Sequence, residues 1–547
     1  MHCHFYLFII LTYVVSLQEA ANILGISSVP SSSHFFPFQS LLRRLAEKGH
    51  NVDIATHFVS RENLEGYEYY DFSNKNRARL LFVKFNWSNK MWSRQICCYS
   101  VNINFMKFFY IFRYNQLSLS GSLPLLNNNV SVNVVESLSD SDVINFMIKG
   151  GVRACTATLQ TPVLQDLKKS KKKYDLVITE IFGSDCMLGF GHFFDVPTVS
   201  LITSTLLPWA AERIGNPDNP SYIPSYFFSS AGNLYERLEN TIKLLLSKFL
   251  YAYFSSKESN KIAKEFFGTN MPSLEKLAKN TSLIITNNYF SSKQIVPAVP
   301  NVIEIGGMHI REPKAPSKYF ENLLSTDTKG IIYLTMGSMV LTETFDNDKL
   351  QGMFDAFMEL PYKVLWKADR EKLPKSLKIP ENIHFENWMP QIDILCHPNV
   401  KLFVTHGGLL SDQESVYCGV PRLGIPIFSD QFNNIRAAEK MGLAIKVAYH
   451  EIGKEKILKA ARKLLEDPVY KENSERASRL FKDRPMSPLD TAVYWVEYVI
   501  RHRGASHLRN VGADLSWYRY YLGDVVLCIS FLTLLMVVVF LKFVILF

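Results

Sequence analysis

Apolar and polar positions along this chain fall into short blocks whose order predicts alternating strands and helices. Residues 21–27 (ANILGIS) form an apolar run of strand length, and residues 38–49 (FQSLLRRLAEKG) space their apolar side chains as a helix does, with charges on the outer face. SVPSSSHFFP between them reads as a turn-rich loop, and HNVDIAT returns to a strand. The chain therefore opens as a strand–helix–strand unit of a parallel sheet. A second unit surrounds residues 168–180, where Leu176 to Ile178 make a short buried strand. Residues 60 to 150 are irregular and aromatic-rich, and the pattern fixes no helix boundaries there. Thr205 to Phe227 holds too many prolines and glycines for a regular element and is expected to be a loop that shapes a cleft. Around Pro297 the character changes: VPAVPNVIEIGG reads as linker and strand, followed by a polar, proline-containing stretch. From Gly330 the alternation restarts through IIYLTMGS, MFDAFMEL, KVLWKA, KLFVTHGG, PRLGIP and LAIKV. The domain boundary is placed near 290–315, and two α/β halves facing each other leave a cleft outside the carboxyl ends of their strands.

Composition narrows the class. A chain of 547 residues suggests two domains, and 47% apolar residues exclude a disordered chain. The net charge of +9 comes from 60 basic and 51 acidic residues that are mostly interspersed. The run Lys168 to Lys173 reads as a solvated helix end, so nucleic acid is not an expected partner. Phe5 to Val15 has the length of a signal-peptide core, with a cleavage region ending at Ala21, although no Lys or Arg precedes it. Val525 to Leu541 is an uncharged run of 17 residues, extendable past Lys542, and is expected to cross a bilayer once. The body would then be lumenal. Eight cysteines show no CxxC pairing, and a core of this size does not require a disulfide framework. Asn86, Asn129 and Asn280 each begin a glycosylation sequon.

The densest chemical signal begins at Val400. An apolar strand runs into Thr405-His406-Gly407-Gly408, and a helical pattern follows. Glycines at such a turn let backbone approach a ligand, and free N–H groups at a helix start attract phosphate. His406 can donate to a phosphate oxygen, Glu414 suits ribose hydroxyls, and Gly337 and Ser338 end a second strand directed to the same place. No P-loop pattern is present.

The stretch Phe403 to Gly408, with Ser411, Glu414, Gly419-Val420-Pro421, Pro426 and Asp430-Gln431, resembles the signature of the UDP-glycosyltransferase family. Trp388-Met389-Pro390-Gln391, Ser33-His34 and Glu47-Lys48-Gly49-His50 extend the likeness over nearly the whole chain, most closely to microsomal, insect-like members. The resemblance implies two facing Rossmann-like domains (GT-B architecture): residues 22–295 for the acceptor and 296–505 for the UDP-sugar. A signal peptide (1–21), a juxtamembrane segment (506–524) and a membrane helix (525–543) complete the chain. It also implies roles: Trp388 and Gln391 at the uracil, Ser338, His406, Gly408 and Ser411 at the phosphates, Glu414 at the ribose, and Asp430 and Gln431 at the sugar. His34 resembles the catalytic base. The family often places Asp where this chain has Glu180, so either Glu180 or Asp185 is expected to orient the imidazole, with Glu180 favoured. The expected reaction is inverting transfer of a hexose, glucose by resemblance, to a small lipophilic acceptor, with UDP-sugar as donor substrate and no cofactor or metal. A lipid- or sterol-directed enzyme and a catalytically weak binding protein are the alternatives. The endoplasmic reticulum membrane is the expected location; self-association stays open. Arg422 stands where an apolar residue is usual, Val416 replaces a common Ala, and a lysine-rich tail is lacking.

Overall fold

The computed structural model describes residues 20–59, 67–68, 112–127, 130–226, 232–291, 295–325 and 328–546. The signal-peptide core and the sequons at Asn86 and Asn129 lie outside them.

Two parallel sheets organise the chain. The first has eight strands in the order Tyr67–Glu68, Phe112–Ser118, Asn51–Thr56, Asn22–Ile26, Leu176–Glu180, Thr198–Ile202, Leu283–Thr286 and Val302–Glu304. The second has six, in the order Ile383–Glu386, Lys363–Lys367, Ile331–Thr335, Val400–Thr405, Arg422–Gly424 and Ala444–Lys446. The central strands of both are buried on both faces, which explains their continuous apolar runs. In each sheet, strand order reverses beside its first strand. Asn22–Ile26 separates Asn51–Thr56 from Leu176–Glu180, and Ile331–Thr335 separates Lys363–Lys367 from Val400–Thr405. Loops that leave such a reversal in opposite directions open a crevice, where ligands of α/β sheets sit.

The strand Val302–Glu304 pairs with Leu283–Thr286, so the first sheet reaches past residue 295 while staying within the 290–315 zone. The stretch expected to be a loop before residue 38 is already helical: the helix runs Ser32–Glu47 with Pro37 inside it. The buried Phe35, Phe38, Leu41, Leu42 and Leu45 lie on its core face, and that packing outweighs the one backbone hydrogen bond that Pro37 forgoes. The irregular zone before residue 150 contains the helix Asp140–Leu159, started by a reciprocal Ser139–Asp142 cap.

The halves also exchange segments. Val130–Ser131 pairs in parallel with Val340–Leu341, and Val132 and Val135 enter the second half's core. In return, the helix Pro488–Arg501 crosses back, burying Ala492, Val493, Val496 and Val499 against the first sheet and the helix Ser32–Glu47. Arg44 donates to Asp490 across that contact at 2.8 Å. Two disulfides, Cys155–Cys186 and Cys396–Cys418, form although no spacing pattern announced them. Arg422 is fully buried and is paired with Asp412, one guanidinium nitrogen donating to its carbonyl at 3.0 Å and lying 3.2 Å from its carboxylate. An apolar position is thereby replaced by a paired one. The helix Gly523–Leu546 has 24 residues with no buried side chain, and among the described residues it is the one helix long and apolar enough to serve as a membrane anchor.

Candidate active site

A cleft of about 690 Å³ lies between the halves, where the two strand-order reversals face each other. From the first half, His34 enters in the first turn of its helix and Glu180 ends the neighbouring strand. His34 Nδ1 lies 2.5 Å from Glu180 Oε1, and Thr203 Oγ1 reaches both, at 3.1 Å from the ring nitrogen and 3.3 Å from the carboxylate. Phe182 packs edge-on against the imidazole at 4.5 Å between centroids. With Nδ1 committed, Nε2 is the nitrogen left for a ligand. The second carboxylate named from sequence is placed elsewhere: Asp185 accepts both Arg213 guanidinium nitrogens, at 2.6 and 2.8 Å, and the Tyr251 hydroxyl at 2.5 Å. It anchors a buried ion pair and does not touch His34.

The second half supplies a polar wall. Strand Ile331–Thr335 leads into Gly337 and Ser338, and the neighbouring strand Val400–Thr405 leads into His406 and Gly408. The imidazole of His406 is sandwiched between the two glycines. A Cβ on Gly337 would lie 2.5 Å from the ring, and one on Gly408 would lie 2.7 Å from its Nε2. Gly337 also has φ +82°, a left-handed conformation that favours glycine. Burial, with a smaller contribution from Lys367, pushes the His406 pKa down to about 4, so the ring is a neutral donor near pH 7. Lys367 donates to the Gly337 carbonyl at 2.9 Å and lines the same wall.

Beyond it, Gln391 Nε2 donates to Ser411 Oγ at 2.9 Å and makes a short contact with Glu414 Oε2. Burial pushes the Glu414 carboxyl up to about 7, against the lowering influence of Gln391 and Arg311. His309 Nε2 lies 3.8 Å from the other Glu414 oxygen and is itself pushed down to about 4 by burial. Trp388, 67% exposed, forms the outer edge. Asp430 starts the helix Gln431–Lys440 and accepts from Asn434 Nδ2 at 3.0 Å. Gln431 lines the cleft, but its Oε1 accepts from the backbone N–H groups of Ile427 and Phe428, at 2.9 and 3.2 Å. Only its amide nitrogen remains for a ligand.

Of the site residues named from sequence, all line the cleft except Glu180, which is buried behind His34 and acts on the cleft through it, and Asp185, which lies elsewhere. Thr203, Tyr226, His309 and Lys367 line it as well and were missed. Lys367 carried a usable signal, since it closes a predicted strand at its carboxyl end. Tyr226 belongs to the 205–227 stretch expected to shape a cleft, which does line it but carries the short helix Pro208–Arg213 where no regular element was expected. Thr203 and His309 follow strand ends whose loops no local pattern places.

Paired Rossmann-like sheets facing each other across a cleft with one polar wall define a glycosyltransferase-type GT-B fold. The solved glycotransferase of kitacinnamycin shares this fold over 90% of this chain and all of its own, with a TM-score of 0.55 at 13% sequence identity. Residues 115–547 match the family model described as UDP-glucoronosyl and UDP-glucosyl transferase. UDP-glycosyltransferase UGT5 of Dactylopius coccus is 38% identical over 96% of this chain and 92% of its own length. UDP-glucosyltransferase 2 of the same insect is 35% identical over 94% and 90%. Human UDP-glucuronosyltransferase 2B7 is 32% identical over 66% and 67%. The chain belongs to the UDP-glycosyltransferase family, and its general activity is sugar transfer from a UDP-sugar.

Proposed function

We propose that the protein is an inverting transferase that moves a hexose, glucose in the first instance, from its UDP donor to a hydroxyl of a small lipophilic acceptor, with His34 as general base. The observation that carries this is the His34–Glu180 pair facing the His406–Ser338–Glu414 wall across one cleft. Glu180 fixes Nδ1 as the protonated nitrogen and stabilises the imidazolium, so Nε2 accepts the acceptor's proton as its oxygen attacks the anomeric carbon. Exposed Phe36, Val134 and Phe146 on the rim suit an apolar acceptor body. On the other side Glu414 receives the ribose hydroxyls and Gln391 the uracil edge. His406, Ser338 and the amides opening the helix Leu409–Cys418 take up the charge of the departing diphosphate. Asp430 and the Gln431 amide hold the sugar. No step in this scheme draws on a metal or cofactor.

Attack opposite the leaving group, with no protein nucleophile, turns an α-linked donor into a β-linked product. Nuclear magnetic resonance of product formed from UDP-glucose and a simple phenol tests this, alongside turnover of His34→Ala. A β-linked glucoside with strongly reduced turnover in the variant is expected; an α-linked product or an undiminished variant overturns the mechanism. The dactylopiid relative named a glucosyltransferase supports the choice of sugar. The two disulfides and an exposed sequon at Asn280 support a lumenal body on the endoplasmic reticulum membrane, held by the apolar helix.

A further inference from the structure

Behind the sugar end of the cleft lies a second chamber of about 330 Å³, within the size range of small-molecule pockets. It opens between the halves: Leu206, Ile223 and Leu244 come from the first, and Ala437 and Met441 from the second. Three of its polar lining residues are more than nine-tenths buried and each holds an atom without a partner: Ser225 Oγ, Asn288 Oδ1 and Asn434 Oδ1. The orientation of both amides is fixed by their nitrogens. Asn288 Nδ2 donates to Glu304 at 2.6 Å, and Asn434 Nδ2 donates to the Gly407 carbonyl at 2.8 Å and to Asp430 at 3.0 Å. Each Oδ1 is therefore an acceptor that needs a donor, and a buried acceptor left unmet is costly.

Apolar walls with two fixed acceptors and a hydroxyl complement a neutral molecule that has an apolar body and hydroxyl donors. Among the described charged residues of the lining, Asp218 is paired with Lys248 at 2.5 Å, and Glu304 and Asp430 stand against the single cation Lys440, so the chamber offers a doubly charged anion such as UDP no net positive charge. We infer that this chamber is a second binding site, for a small hydroxylated lipophile, separate from the transfer cleft. Its wall is shared with the cleft, since Tyr226 and Asp430 line both. Ser204 of one half and Ser429 of the other hydrogen-bond the Tyr226 phenol, and Asn433 donates to the Tyr226 carbonyl at 2.8 Å. Occupancy is thus transmitted to Asp430 through Asn434 and Tyr226. That coupling, unlike the site itself, rests on the UDP-sugar role proposed for the cleft.

The test uses the full chain in detergent and a diazirine-bearing phenol as photoprobe, with adducts mapped by peptide mass spectrometry. An adduct is expected on peptides spanning 205–226 or 433–441 that saturating UDP does not displace. Ala437→Trp fills the chamber from the helix Gln431–Lys440, and should lower that adduct at least tenfold while any adduct on Phe36 or Phe146 in the cleft persists. Ala437→Leu, a gentler filling, should give an intermediate loss, and thermal melts of both variants check folding. Absence of the chamber adduct, or an undiminished yield in both folded variants, overturns the site. With the site present, a nonreactive phenol ether bearing one free alcohol should shift the donor KM at least twofold in the parent and not in Ala437→Trp. An unchanged KM overturns the coupling alone. Because labelling is a binding measurement, it stands or falls independently of the product's stereochemistry.

Discussion

At the scale of single residues, the two carboxylates first considered for His34 have different jobs, and mutation should separate them. His34→Ala should lower turnover by roughly 10²–10⁴-fold with UDP affinity preserved, and Glu180→Gln should lower turnover while the melting temperature stays near that of the parent. Asp185→Ala leaves Arg213 buried without its carboxylate, so it should cost about 3–5 kcal/mol of stability, read as a lowered melting temperature. Glu414 gives a pH signature. Its folded-state pKa is raised, so the native protein holds a proton that the unfolded chain has released between 4.5 and about 7. Stability from this group is thus present below the lower value and lost as pH rises through the window. A ribose hydroxyl donates best to the ionised form, so UDP should bind more tightly at pH 8 than at pH 6 in calorimetric titration. Glu414→Gln should remove most of that difference, with UDP's own ionisation common to both proteins; an equal pH effect in the variant would assign the step elsewhere. His34, His406, Glu414 and Asp430 were legible in the sequence because each sits in or beside a contiguous motif. Thr203 and Tyr226 were not, since they meet the site through folded loops.

At the scale of elements, the strand-to-helix turns explain why glycine flanks His406 on both sides. Gly408 caps the helix in an extended conformation, φ −61° and ψ 140°, open to any residue, so Gly408→Ala introduces no backbone strain and tests the contact alone. Its Cβ would meet the imidazole, and displacement of that ring should reduce kcat/KM for the donor by about 10–10²-fold with little change in melting temperature. An unaffected kcat/KM would show that the ring does not need its position. The alternation of strands and helices was readable because strands buried on both faces are continuous apolar runs, as in Leu402 to Val404. The start of the helix Ser32–Glu47 was not, because serines and a proline carry turn preferences that tertiary packing overrides. Arg422 puts a charge into the buried strand read from PRLGIP, and its partner, Asp412, lies on the preceding helix Leu409–Cys418, a pairing that the strand's own pattern does not show.

At the scale of the whole molecule, membrane attachment and topology can be read together. Protease added to sealed microsomes should spare the body and digest it once detergent is present; digestion without detergent would place it on the cytosolic side. Asn280 is exposed, its Oδ1 accepts from Arg509 at 2.9 Å, and its nitrogen is left for a glycan. A glycosidase-sensitive mass that disappears in Asn280→Gln would support the same topology. The return of the helix Pro488–Arg501 to the first half could not be foreseen, because amphipathic spacing shows that a helix packs but not on which sheet. That return continues to the anchor: Asn510 donates to the Gly215 carbonyl at 2.7 Å, and Tyr521 donates to Asp218 at 3.2 Å. The main path thus crosses between the halves near residue 307 and back near residue 487, and with Val130 to Val135 lent to the second half neither half is a contiguous stretch of gene. Recombining acceptor specificity between relatives by a single crossover near residue 307 would seat a foreign first half against this chain's residues 488–522. Such chimeras should melt well below both parents, and a second crossover near residue 487 that carries the matching tail along should restore them.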